Sequence, residues 1–546
     1  MKSDLIDRRG FLGRGALATA GLFAGGSFSR VFAQDSRGLA TTAAVSTTGG
    51  KIRGLVRYGV NQFWGVPYGA STAGANRFMP PARPAAWTGV RDAFEVTQRS
   101  PQDPDGPISE VWSLDRREPM GEDCLSINVF TSGLGNGNRP VMVWLHGGGF
   151  SGGSGNWLLY DGTNLARKED VVVVSVNHRL NLFGFLHLSD LGGGEKWASS
   201  SNVGMQDIIA ALGWIKNNIA AFGGNPGNVT IFGQSGGGGK VTTAMAMPSA
   251  RGLFHRAIAM SGSALRGATR DSATRASEQF LARLGLKATQ LDQLQTLRWE
   301  QLRQAFFQQP AIQGLASGPV VDGRSLPRDQ WTPDAPEFSA TVPLMQGSVE
   351  TEDGWSDPPP PLELPEDEML TRVKRIARND ETAARALVTL YRKTHPGISN
   401  TDVWLIMNAD NTRRANAQTL AELKSAQGKA ADYLYYFNWR SPVHQGQMKS
   451  YHTLDIPFVL YNIDIAGSMT GAGQERYALA HKMSAAWAAF ARTGSPNHPD
   501  LPTWPAFNST DRATMILGNE CKVVNDPNRE ERLALKAIRD GAQSTA

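Results

Sequence analysis

Short apolar runs separated by amphipathic tracts set the rhythm of this chain. Residues 140–145 (PVMVWL), 171–176 (VVVVSV), 229–232 (VTIF), 257–261, 342–347 and 433–437 read as strands. VVVVSV has no polar alternation, as expected of a strand buried on both faces. Between the runs the period changes. In 205–221, Met205, Ile208, Ile209, Leu212, Ile215 and Ile219 form one helical stripe. Helical tracts also extend to about Phe307 and, after the next strand, to about Gly428. Near the N-terminus, 51–58 and 61–66 read as small antiparallel strands joined at Gly59. Strands alternating with helices predict an α/β fold with a large, mostly parallel central sheet and helices on both faces.

Chemistry enters at two of the strand ends. VTIF runs into Gly233-Gln234-Ser235-Gly236-Gly237, a G-x-S-x-G pattern that bends a strand sharply into a helix and exposes the Ser side chain. Alone, the pentapeptide could equally be a Gly-rich turn. A phosphate loop ending at Gly239-Lys240 fails on register, because its first Gly would fall at Gln234 and Val241 follows the Lys. PVMVWL runs into His146-Gly147-Gly148-Gly149-Phe150, where glycines at a sheet edge bare backbone N–H groups able to hold an oxyanion. A Ser nucleophile also needs a base and an orienting acid, expected in the order Ser, acid, His. Downstream lie Glu350, Glu352 and Asp353 in one loop, then His395, His444, His452, His481 and His498. His481 shares a helical stripe with Met483, Trp487 and Phe490 and reads as structural; His395 and His498 sit beside Pro in turns.

Charge adds little, and the termini add more. The net charge of +5 falls to +2 once residues 1–33 are removed, which points to neither nucleic acid nor an anionic membrane. Within 1–33, Arg8-Arg9-Gly10-Phe11-Leu12 resembles a twin-arginine signal, followed by a moderately apolar stretch and a small-residue site at Val31-Phe32-Ala33. The expectation is a signal peptide over 1–33, a single domain over 34–546, and a periplasmic or secreted enzyme without stable membrane insertion. Cys124 and Cys521 are too few for a disulfide framework or a Cys-based metal site.

Taken together, FWGVPYG, GEDCLSINV, PVMVWLHGGGF, VNHRLNLFGF, VTIFGQSGGGG, GLFHRAIAMSG, HTLDIPF and WAAFARTGSPN resemble the type B carboxylesterases, a family of α/β-hydrolases, from about Gly50 to Arg532. The resemblance implies an α/β-hydrolase fold with helical insertions around 263–340 and 360–430 that build the substrate pockets. It implies ester hydrolysis through an acyl-enzyme, on a small-molecule ester, with no cofactor and no metal. It assigns Ser235 as nucleophile, His452 (in H-x-x-D-I-P) as base and Glu352 as acid, counted from Gly347 at a strand end. Gly148, Gly149 and Gly236 become the oxyanion hole. The family often has Ala where this chain has Gly236, so a methyl is missing beside the nucleophile, and with the Gly147–Gly149 run this suggests room for bulky alcohols. A Cys often bridged to the Cys124 position is Ser100 here, which excludes that bridge. An ordinary His base predicts activity falling through about pH 6–7. Two other functions fit the family: a lipase, against which the charged, Pro-containing 98–120 region argues, and a non-catalytic binding protein.

Overall fold

A computed structural model describes residues 40–103, 118–135, 137–309, 318–354, 356 and 358–541. The expected signal segment 1–33, most of the 98–120 region and part of the expected 263–340 insertion lie outside the described residues. In chain order the strands are β1 (Val45–Thr47), β2 (Gly50–Arg53), β3 (Leu55–Arg57), β4 (Val60–Pro67), β5 (Val90–Asp92), β6 (Ser126–Thr131) and β7 (Arg139–Leu145). They continue with β8 (Val172–Val176), β9 (Gly224–Gln234), β10 (Arg256–Met260), β11 (Leu344–Val349), β12 (Asp432–Phe437), β13 (Ala513–Leu517) and β14 (Lys522–Asn525). The main sheet runs β14-β13-β12-β11-β10-β9-β7-β8-β6-β4-β3. It is parallel from β8 across to β13, with antiparallel strands at both flanks.

Side-chain alternation explains why this sheet is covered on both faces. From β7, Val141, Val143 and Leu145 enter one core with Met205, Ile208, Leu212 and Ile215 of the helix Val203–Asn218. Met142 and Trp144 point the other way, into a core shared with Met483, Trp487 and Phe490 of the helix Glu475–Thr493. The insertions carry apolar clusters of their own. One joins Phe280, Leu281, Leu302 and Phe306 to Phe183 and Trp197; the other joins Met369, Val373, Leu387, Tyr391 and Ile406 to Leu535.

Two expected elements shift. The anticipated strand over 51–58 divides at Gly54, and its halves join different sheets. β2 pairs with β1 and β5 in a small three-stranded sheet, while β3 pairs with β4 at the edge of the main one. A Cβ on Gly54 would lie 2.3 Å from the Gln62 carbonyl oxygen, so the chain crosses between sheets where only Gly fits. Second, β11 does not end at Gly347 but continues through Val349.

Candidate active site

β9 delivers the candidate nucleophile. It ends at Gln234, and the helix Gly236–Ala244 begins one residue after Ser235. Ser235 itself has φ 58° and ψ −124°, a conformation that an L-residue keeps only when its surroundings hold it there. The holding contacts are visible. The Ser235 N–H donates to the Met260 carbonyl at 2.8 Å, and the Ser235 carbonyl accepts from the Gly239 N–H at 3.0 Å. Close backbone packing demands the flanking glycines: a Cβ on Gly237 would fall 1.9 Å from the Leu145 carbonyl oxygen.

β7 delivers the loop beside it. Gly148 and Gly149 have φ 86° and 62°, the left-handed region, and the Gly148 carbonyl accepts from the N–H groups of Ser151 and Gly152. Among the described residues, the N–H groups of Gly148, Gly149 and Gly236 donate to no protein acceptor. The loop lies hard against the helix start. A Cβ placed on Gly236 would sit 2.1 Å from the Gly149 carbonyl oxygen. The space freed by the absent methyl is therefore filled by loop backbone, and Gly236 gives no extra room to an alcohol group.

The candidate acid and base come from the ends of β11 and β12. Glu352 lies in the turn after β11, His452 in the loop beyond β12, and the two loops are stitched together. The Thr351 N–H donates to the Ser450 carbonyl at 3.0 Å and the His452 N–H to the Glu352 carbonyl at 3.2 Å. His452 Nδ1 lies 2.5 Å from Glu352 Oε2, and Glu352 Oε1 accepts the Val349 N–H at 3.2 Å. This carboxylate is fully buried, so the Nδ1–H tautomer is the one it favours, leaving Nε2 with a lone pair. Burial pushes the His452 imidazole below its ordinary range, Arg413 pushes the same way, and Glu352 pushes back. The expectation of an ordinary His titration is corrected downward, with desolvation as the chief cause.

The neighbours that competed in sequence have other occupations. Glu350 accepts from Arg440 Nε at 2.7 Å, and Asp353 accepts from Asn408. His444 is exposed in the turn Val443–Gly446 with a left-handed backbone. His395 faces Glu531, His481 faces Asp500, and His498 Nε2 lies 3.0 Å from the Lys482 carbonyl oxygen. Cys124 and Cys521 are both free, and Ser100 is buried with its hydroxyl accepting from the Leu180 N–H.

Three residues at the site were missed or set aside in sequence. Gln234, the unspecified letter of G-x-S-x-G, is fully buried with Nε2 3.3 Å from both ring nitrogens of His452. This is where the elbow meets the base loop. Arg413 begins the helix Arg413–Ala426; its Nε is 3.5 Å from Glu352 Oε2, and its Nη1 donates to the Ser261 carbonyl at 3.1 Å. Nothing in its local sequence marks it, because it reaches the site from a helical insertion. Lys240, dismissed with the phosphate loop, is fully buried one turn into the helix behind Ser235. No group of His, Cys, Asp and Glu able to hold a metal occurs among the described residues.

Known proteins supply an independent comparison. A model of the carboxylesterase family matches residues 41–535. The chain is 36% identical to the para-nitrobenzyl esterase of Bacillus subtilis strain 168, covering 91% of this chain and 99% of that protein. It is 30% identical to the phenmedipham hydrolase of Pseudarthrobacter oxydans, covering 91% and 100%. Among solved structures, a carboxylesterase of Geobacillus stearothermophilus superposes with a TM-score of 0.76 at 35% identity, over 90% of this chain and 100% of that one. An esterase of Clostridium hathewayi, described as able to hydrolyze aliphatic aromatic polyesters, gives a TM-score of 0.80 at 34% identity, over 91% and 98%.

Proposed function

The chain belongs to the carboxylesterase family and is a carboxylic ester hydrolase, and from that premise we propose that it works by two-step acyl transfer on Ser235. The observations that carry this reading are the strained backbone of Ser235 and the buried His452–Glu352 couple, whose ring lies 3.3 Å from the amide of Gln234, the residue next to Ser235. His452 Nε2 takes the Ser235 hydroxyl proton as Oγ attacks the ester carbonyl carbon. The carbonyl oxygen becomes an oxyanion that accepts from the N–H groups of Gly148, Gly149 and Gly236. Glu352 steadies the imidazolium. The carbon–oxygen bond to the alcohol then breaks, and His452 returns the proton to the departing oxygen. Water repeats the sequence: it loses its proton to His452, attacks the acyl carbon, and releases the acid with Ser235 restored.

The substrates we infer are small soluble esters, reached without a cofactor or metal. Ser235→Ala is expected to remove essentially all esterase activity while circular dichroism and melting temperature stay close to wild type. A fluorophosphonate probe should label Ser235 alone. A variant that keeps its turnover, or labelling at another residue, would overturn the assignment.

We further propose that the enzyme is exported and acts outside the cytoplasm. Arg8 and Arg9, ahead of a moderately apolar stretch, support export by the twin-arginine route. Replacing both with Lys should move the activity from the periplasmic or secreted fraction into the cytoplasm. An unchanged distribution would sink the export proposal and leave the chemistry untouched.

A further inference from the structure

Lys240 has no task in the reaction as written, yet its placement is costly. It is fully buried, and among the described residues no carboxylate pairs with it. An uncompensated ammonium in such a place is strongly disfavoured, and burial alone pushes this amine well below its ordinary range. Its Nζ donates to the His146 carbonyl at 2.8 Å and lies 5.7 Å from the centre of the Phe150 ring. His146 and Phe150 bracket the three glycines of the oxyanion loop. The His146 and His178 rings stack at 4.9 Å and 15°, and His146 Nδ1 is 2.8 Å from the Gly147 carbonyl oxygen.

The two halves of the oxyanion hole come from different elements. Gly148 and Gly149 sit on the loop after β7; Gly236 opens the helix that carries Lys240. The far end of the loop is held by Gln102, whose amide accepts from the Gly153 N–H at 2.8 Å and donates to the Gly153 carbonyl at 2.9 Å. At the near end the hydrogen bond from Lys240 ties the loop directly to the nucleophile helix. Three successive glycines have little stiffness of their own, so the orientation of their N–H groups depends on such anchors.

We propose that Lys240 is a positioning residue for ester hydrolysis. By holding the His146 carbonyl, it sets the spacing between the loop donors Gly148 and Gly149 and the helix donor Gly236 around the tetrahedral oxyanion. This rests on the reading of Ser235 and the oxyanion hole given above.

The test compares wild type with Lys240→Met, which keeps the length and removes the donor, and Lys240→Gln, which keeps a donor on a shorter stem. Fluorophosphonate titration first counts reactive Ser235; failure of the wild type at this step would overturn the functional reading itself. Per titrated site, Lys240→Met should lose about 10- to 100-fold in kcat, with KM changed by less than about twofold. Affinity for an aryl trifluoromethyl ketone, which forms an oxyanion adduct with a reactive Ser, should fall by a similar factor. Lys240→Gln should recover part of both. Unchanged kcat per site, a kcat loss without loss of ketone affinity, or Gln performing no better than Met would each overturn the proposal. Failure of both variants to fold would assign Lys240 to stability and overturn it as well.

Discussion

The site has two halves built on different principles. The proposed nucleophile and oxyanion donors lie just past the ends of two adjacent strands, β9 and β7, and most of their chemistry is backbone: three N–H groups and one strained Ser. The proposed acid and base are side chains on loops after β11 and β12, and a third side chain, Arg413, reaches them from a helix between those strands. Backbone chemistry is fixed by local conformation, so glycines at set spacing are nearly sufficient. Side-chain chemistry is fixed by which loops meet, and that depends on packing across the whole sheet. The first half should therefore be brittle toward added atoms, and the second toward lost charge.

The largest expected effects are in the side-chain half. His452→Ala should lower kcat by about 10³-fold or more, whereas His444→Ala, at an exposed turn, should stay near wild type. Glu352→Gln should lose far more than Glu350→Gln or Asp353→Asn. Steady-state kinetics with a para-nitrophenyl ester reads all five. A Glu350 variant more damaging than the Glu352 one would mean that the Arg440 pair, not the His452 pair, supports catalysis.

Legibility in the sequence followed the same division. G-x-S-x-G and HGGG could be read in place because strand, turn and donor are contiguous. His452 and Glu352 needed the resemblance, since local sequence left His444 and His452, and the three acids of one loop, unresolved. The landmark used for Glu352 was itself misplaced: β11 runs two residues past Gly347, and Glu352 is selected by the stitching of its loop to Ser450 and His452. β13 escaped notice because ATMIL is a five-residue run without a distinctive neighbour pattern. Arg413 could not have been found, because its role exists only once the insertion has docked.

The next largest effect probes the backbone half. Gly236→Ala adds a methyl that would meet the Gly149 carbonyl oxygen at 2.1 Å. Backbone must retreat, and the oxyanion donors retreat with it. We expect about a tenfold or greater loss in kcat, since loss of one donor typically costs about 100-fold. Gly239→Ala is the control: its Cβ would make ordinary contact with the Phe150 ring at 3.5 Å. An Ala there should leave kcat unchanged and slightly favour the helix. Equal effects at the two positions would show that the loop yields freely, contrary to the brittleness argued for this half.

The smallest effect concerns Arg413 and pH. In the proposed mechanism His452 must be neutral to accept the Ser235 proton, so kcat/KM should fall as pH drops through its titration. Burial holds that titration below the ordinary range, and the Arg413 cation adds to the depression because it disfavours a second positive charge nearby. Arg413→Met removes the cation, so the imidazolium becomes easier to form and the acid limb moves toward higher pH. The change also leaves Glu352 without its second cationic neighbour at 3.5 Å, which strengthens its hold on the imidazolium and shifts the limb in the same direction. Arg413 is 37% exposed at its side chain, so its influence is partly screened and must be smaller than that of burial. Arg413→Lys should keep the limb near the wild-type position. In 1 M salt, where the screening length shrinks to about 3 Å, the gap between wild type and Arg413→Met should narrow. A limb that moves to lower pH in Arg413→Met, or a gap indifferent to salt, would mean that Arg413 acts on the acid loop through packing rather than through its charge.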